Sequence, residues 1–226
     1  MARPLTRRQL DAAAAQLAAR DPVFARFVAY VGECAFAPRD DHFMALVDII
    51  AAQQVSKYAA ESIRKKLRRR YGDPVDPAKI AVARLDRLRA CGLSRAKTLC
   101  VRELARGVVG GTLDFAALHA LDDAAATERL VALKGIGRWT AEIYLMFVLG
   151  RPDIFPMGDG ALRTVIREVY ALDADAPDET ILAITDGWAP YRSIASWYLY
   201  AWINRRRAEA RLARQKPPPD AGEPLV

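Results

Sequence analysis

"LKGIGRWTAEIYLMFVLG", residues 133–150, is the stretch that decides the fold. Two glycines flank one isoleucine, a tryptophan follows, and an apolar run with helical spacing comes next. Leu133 closes one helix, and Arg138 and Trp139 begin another. Gly135 and Gly137 give access to positive φ and let a second backbone approach closely. The first amides of the second helix lack intrahelical acceptors, and the helix dipole adds positive potential there. Together these make a seat for a phosphate oxygen. Turn carbonyls that face outward suit a monovalent cation shared with that phosphate. Lys134 and Arg138 flank the turn and suit a polyanionic backbone. The simpler alternative is that Gly135 only caps a tight helical hairpin, and a lone Gly-x-Gly favours that alternative.

Outward from this stretch the whole chain reads as helix. Apolar residues recur at helical spacing, and alternating strand patterns are scarce. "TRRQLDAAAAQLAARD" is a first helix capped by Thr6, and "DPVFARFVAYVG" a second, with Asp21 as cap and Pro22 at its first position. "HFMALVDIIAAQQ" is apolar enough for a central buried helix. "SKYAAESIRKKLRRRYG" starts at a Ser56 cap, stops at Gly72, and carries the apolar stripe Ala59, Ala60, Ile63 and Leu67. "DPAKIAVARLDRLRACG" reads as one helix ending at Gly92. A Ser94-capped helix then runs to Gly110. "DDAAATERLVALKG" leads into the glycine turn. Beyond it come the loop "RPDIFPMGDG", a helix from near Asp159 to about Tyr170, and two more helical segments. The expected fold is all-α, roughly a dozen short helices in two lobes flanking a cleft. Residues 1–216 make one domain of two lobes, and the proline-rich stretch 217–226 is a flexible tail.

Length and charge narrow the function. With 226 residues there is room for a sizeable buried core. A net charge of +7, from 34 basic and 27 acidic residues, favours nucleic acid first and anionic membrane second. No run of about 18 apolar residues exists, so neither a membrane span nor a signal peptide is expected. The three cysteines, Cys34, Cys91 and Cys100, form no C-x-x-C pair, which argues against a zinc or iron–sulfur site. Reduced thiols fit a cytoplasmic, nucleoid-associated protein, or a nuclear one in a eukaryote. No cofactor is expected, and a monomer is the simplest state.

The full "LKGIGRWTA" resembles the helix–hairpin–helix element of DNA repair glycosylases. That family carries an essential aspartate about twenty residues after the hairpin, and "DIFPMGDGALR" supplies Asp159, twenty residues after Trp139. "AAQQVSKYAAESI" and "LRACGLSRAKTLCVRELA" are also similar to family segments, so the resemblance runs from about His42 to Asn204. The nearest type is 3-methyladenine-DNA glycosylase II, in a compact form without a β-rich N-terminal domain. Strand-cleaving members carry a lysine two residues after the second glycine, whose amine forms a Schiff base with the sugar. Trp139 stands there in this chain, and an indole cannot form an imine.

The resemblance implies a double-stranded DNA partner containing alkylated bases and a hydrolysis centred on Asp159. Breaking an N-glycosidic bond gives the sugar oxocarbenium character, which a carboxylate stabilises while it orients water. Taken alone, Asp159 is more readily a helix N-cap, since aspartate caps are common; its glycine neighbours and the spacing from the hairpin favour the catalytic role, and the two roles are compatible. An alkylated purine already carries positive charge and leaves without a general acid. His42 and His119 are read as surface or capping residues. A cationic base binds against aromatic faces: Trp139 first, Tyr191 in "WAPYRS" second, Trp188 third. An aromatic expected one turn after Trp139 is replaced by Ile143. "SWYLYAW" reads as core.

A base must leave the duplex to be cut. In related glycosylases the loop matching "QQVS" lies at the minor groove, and Gln54 aligns with a leucine wedge of one branch. Gln53 and Ser56 either join that contact or simply link two helices. Arg163 and Arg192 are read first as salt-bridge residues. Two alternatives stand beside this expectation: a glycosylase of the same fold for deaminated or oxidised bases, and a non-catalytic DNA-binding protein that uses the hairpin alone.

Overall fold

The computed structural model describes residues 5–215, so the tail expected at 217–226 lies outside the described residues. Among the described residues thirteen helices run in order: α1 Arg7–Arg20, α2 Pro22–Val31, α3 His42–Ala52, α4 Lys57–Tyr71, α5 Pro77–Ala81, α6 Leu85–Arg89, α7 Arg95–Val109, α8 Phe115–Ala120, α9 Asp123–Val131, α10 Arg138–Phe147, α11 Gly160–Val169, α12 Asp178–Asp186 and α13 Arg192–Gln215. No strand occurs among the described residues. Among them, no helix is long and apolar enough to cross a membrane.

The chain divides into two compact units. The first is built on Ala37–Asp159, and the second on Thr6–Phe36 with the segment from Gly160 onward. In the first unit α3 is the central element, packed against α4, α7 and α10. Its Ala45, Leu46 and Val47 are wholly buried. Helix α10 runs buried from Thr140 to Met146. Burial of Tyr144 pushes its phenol far above the usual tyrosine range. Its hydroxyl meets His42 Nδ1 at 3.0 Å, and the His42 ring stacks on Phe115 at 5.5 Å. Burial also lowers the His42 pKa. His42 is thus a packing residue rather than the surface or capping residue expected.

In the second unit α13 packs against α1, α2 and α11. Phe24 is the hub of its core, with Trp188, Tyr198 and Phe27 all at 5.7 Å between ring centroids. The "SWYLYAW" aromatics join this core: Trp202 meets Phe27 edge-on at 5.6 Å. Arg163 pairs with Asp178, and Arg192 with Asp186 at 3.2 Å, which is the salt-bridge role first assigned to both.

The helix starts follow local chemistry. Thr6 and Gln9 form a reciprocal capping box on α1, and Asp21 accepts from Val23 and Phe24 amides at α2. Ser56 and Ser94 cap α4 and α7 through their hydroxyls. One segment differs from expectation. "DPAKIAVARLDRLRACG" is two short helices, α5 and α6, parted at residues 82–84. No glycine or proline marks that break. Ile80 and Leu88 are both fully buried, and the chain bends so that both enter one core while Val82 stays exposed. Tertiary burial outweighs the helix propensity of an Ala/Leu/Arg-rich stretch. The short helix α8 is an addition to the expected set, capped by Asp114, which accepts from the Ala116 amide at 2.8 Å.

Candidate active site

The glycine turn is built around its isoleucine. Helix α9 ends at Val131, the Leu133 amide donates to Leu130 at 3.0 Å, and the Ile136 amide donates to the Leu133 carbonyl at 3.0 Å. Ile136 is buried in the core of the first unit, while Lys134, Gly135, Gly137 and Arg138 are exposed around it. The buried side chain pins the turn, and the exposed residues are what the turn presents. Gly135 has φ +92°, and a Cβ there would lie 2.8 Å from Cys100 Sγ and 2.9 Å from Cys100 Cβ. Glycine is required twice over, by the backbone and by the approach of α7. At Gly137 a Cβ would meet nothing within 4 Å. That glycine leaves open space in front of the helix it starts.

Gly137 is the N-cap of α10, and no side chain caps this helix. Its first amides therefore keep their capacity to donate, and the dipole makes the position favourable for an anion. Arg138 projects from the first turn with its side chain 81% exposed, Nε held 2.9 Å from Glu142 Oε1. Burial raises the Glu142 pKa, and the guanidinium opposes that shift.

At the second residue of α10 the half-buried Trp139 reaches the loop before α11. Its Nε1 donates to Asp159 Oδ2 at 2.9 Å, joining residues twenty apart in sequence. The loop is folded to allow this. The Asp159 amide donates to the Pro156 carbonyl at 2.8 Å, and a Cβ on Gly158 would lie 3.4 Å from Trp139 Cβ. Glycine at 158 lets the loop lie on the indole. Asp159 is 8% exposed and immediately precedes α11, the place expected of an N-cap. The arrangement presents an indole and a carboxylate side by side, within the first turn of an anion-favouring helix start.

The loop between α3 and α4 reaches the same helix. Gln53 Nε2 donates to Thr140 Oγ1 at 2.8 Å, within the first turn of α10. Gln54 is exposed with φ +52°. Ser56 caps α4 by accepting from the Ala59 amide at 3.2 Å, so a link between helices is part of its role.

Trp139, Asp159, Gln53 and the two turn glycines thus belong to one constellation in the first unit. Tyr191 and Trp188 lie in the second unit. Tyr191 is half-buried at the start of α13, its carbonyl accepting from the Ala195 amide at 2.9 Å. Trp188 is a correction. It is 1% exposed, packed on Phe24, with Nε1 donating to Asp21 Oδ2 at 3.3 Å. A fully packed ring serves the core rather than a ligand. Sequence reasoning missed the Trp139–Asp159 hydrogen bond and the occupation of Gln53 by Thr140. Both join segments far apart in the chain, and no local pattern encodes them.

Comparison with known proteins gives a consistent set of matches. The model of the family described as "HhH-GPD superfamily base excision DNA repair protein" matches residues 47–190. The chain is 28% identical over 190 residues to "Alkylbase DNA glycosidase-like protein mag2" of Schizosaccharomyces pombe, covering 81% of this chain and 89% of that protein. It is 32% identical over 158 residues to "DNA-3-methyladenine glycosylase 1" of the same yeast, covering 69% of each. Among solved structures, the Schizosaccharomyces pombe 3-methyladenine DNA glycosylase (Mag1) in complex with abasic DNA superposes with a TM-score of 0.75 at 28% identity, covering 83% of this chain and 94% of that one.

Proposed function

Because the chain belongs to the HhH-GPD superfamily of base excision DNA repair proteins, we propose that it is a DNA glycosylase that hydrolyses the N-glycosidic bond of alkylated purines, such as 3-methyladenine and 7-methylguanine, without strand-cleaving lyase activity. The observation that carries this is the 2.9 Å hydrogen bond from Trp139 Nε1 to Asp159 Oδ2. It sets the acid that the chemistry needs beside an aromatic ring, at the position where a lyase would carry its amine.

In this mechanism the open amides of α10 and the Gly135–Gly137 turn grip a phosphate of double-stranded DNA, with Lys134 and Arg138 adding charge. A monovalent cation held by the turn carbonyls would share that phosphate. The turn fits such an ion: Leu133 O already accepts one bond, from Ile136, and a carbonyl oxygen has a second lone pair to offer. The extruded base rests against Trp139. Its positive charge suits an aromatic face, at about 0.5–2 kcal/mol per contact. As the bond to the base stretches, charge develops on the sugar. Asp159 stabilises it and orients the water that adds at the anomeric carbon. The departing base takes the bonding electrons and becomes neutral, so no general acid is called for. An uncharged purine would need one, and His42 is already engaged with Tyr144 and Phe115. That favours alkylated over oxidised or deaminated substrates. A monomer at the chromosome, in a nucleoid or a nucleus, completes the proposal.

A duplex with one 7-methylguanine, incubated with the protein and then with hot alkali, should be nicked at that site. Without alkali it should stay intact, and borohydride should trap no covalent complex. Tight duplex binding with no nick would leave only a binding module. A trapped complex would overturn the monofunctional assignment.

Trp139→Phe keeps a ring and removes the indole N–H. A hydrogen bond to a charged group is worth about 1.5–3 kcal/mol, so single-turnover excision should fall roughly ten- to a hundredfold. Substrate affinity should change little. A loss confined to affinity would mean that the indole holds the base and does not position the acid.

A further inference from the structure

Between α3 and α4 the chain makes a turn whose fastening is unusual. Helix α3 ends at Ala52, and its last carbonyls have no partners within the helix. Lys97 of α7 supplies them: Nζ donates to Ala51 O at 2.9 Å and to Gln53 O at 2.5 Å. An ammonium offers three rotatable donors and suits the negative end of a helix dipole. It does nothing of the kind for its own helix. Lys97 sits in the first turn of α7, where the Ser94 hydroxyl already accepts from its amide at 3.3 Å and where a cation is disfavoured by the dipole. Burial lowers the pKa of this amine. The charge is therefore placed for the sake of the neighbouring turn.

The same turn has a second anchor. The Gln53 side chain donates to Thr140 Oγ1 at 2.8 Å, and Thr140 is buried in the first turn of α10, three residues after Gly137. Gln53 is thus held by its carbonyl to α7 and by its amide to the helix that follows the glycine turn. The next residue, Gln54, is exposed, with its backbone in the left-handed region at φ +52°. A residue with a Cβ adopts that conformation only where its surroundings over-determine it. The two anchors on Gln53 are those surroundings.

We propose that Lys97 and Gln53 are positioning residues for base extrusion, clamping the 53–56 turn to α7 and α10 so that Gln54 is presented to the duplex at a fixed distance from the phosphate-gripping turn. The inference rests on the glycosylase function proposed above. It goes further by assigning roles to an amine outside the constellation and to a side chain that does not itself enter DNA. Of the two adjacent glutamines, only Gln54 has its amide free to fill the space a base vacates.

The test uses a duplex with 2-aminopurine beside an abasic-site analogue, whose fluorescence rises when the base is unstacked. The wild-type protein should raise it. Lys97→Met keeps an unbranched stem and removes the ammonium. It should bind the duplex with affinity within about threefold of wild type, because the phosphate contacts are elsewhere, yet lose most of the fluorescence rise. Lys97→Arg, which retains charge and donors, should recover part of it. Gln54→Ala should show the same loss, and the double variant no further loss, since one residue acts through the other. If Lys97→Met does not fold, Gln53→Met cuts the Thr140 anchor alone and answers the same question. A wild-type rise that survives in Lys97→Met, or losses that add in the double variant, would overturn the clamp. No rise with the wild-type protein would overturn the glycosylase function instead.

Discussion

Asp159→Asn should slow release of 7-methylguanine by about a hundred- to a thousandfold in single-turnover assays, the range seen when one preorganised electrostatic group is removed from a transition state. Duplex affinity should be retained. The substitution is nearly isosteric, and the Asn carbonyl can accept from Trp139 Nε1 as Oδ2 does now at 2.9 Å. The Asp159 amide bond to Pro156 O, which shapes the loop, does not involve the side chain at all. What disappears is the negative charge and the ability to take a proton from water. The partial charge of an amide cannot balance a developing oxocarbenium ion. A stability measurement separates this from misfolding, and the melting temperature should move little. Full activity in Asp159→Asn would remove this residue from the chemistry. It would also direct attention to Asp153, the other acid of the loop.

Gly135→Ala should cost the most stability of any single methyl added to the turn. The new Cβ would lie 2.8 Å from Cys100 Sγ and 2.9 Å from Cys100 Cβ, so neither atom can stay in place. Overpacking of this kind costs about 1–3 kcal/mol. The φ of +92° adds a left-handed penalty of about 1–2 kcal/mol for a residue with a Cβ. For a chain of this length the combined loss lowers the melting temperature by roughly 5–15 °C. DNA affinity should fall too, because the turn that presents the α10 amides can no longer close. Gly137→Ala is the control. A Cβ there meets nothing within 4 Å and φ is −90°, so stability should be nearly unchanged. Duplex affinity should still drop, since the methyl enters the open space in front of the α10 amides proposed to hold the phosphate. Adding Cys100→Ala to Gly135→Ala should recover part of the stability by removing the sulfur, with the backbone penalty remaining. Equal stability of Gly135→Ala and Gly137→Ala would contradict the packing described here.

The sequence alone carried the features whose physics is local. Helix starts at Thr6, Asp21, Ser56 and Ser94 were legible because a cap satisfies amides two or three residues away, and each of these side chains makes that bond. The helix–turn–helix at 133–139 was legible because two glycines around an apolar residue, followed by a helical run, leave few other conformations. The family followed from that turn and from the spacing of twenty residues between Trp139 and Asp159. Tertiary structure decided the rest. It broke 77–89 into two helices to bury Ile80 and Leu88, and it drew Trp188 into the core of the second unit. It set Cys100 against Gly135, Thr140 against Gln53 and Lys97 against the end of α3. These are contacts between segments tens of residues apart, and their partners are chosen by how helices pack and which polar groups packing strands. Sequence periodicity records which face of each helix is buried; the atom it is buried against depends on every other helix at once.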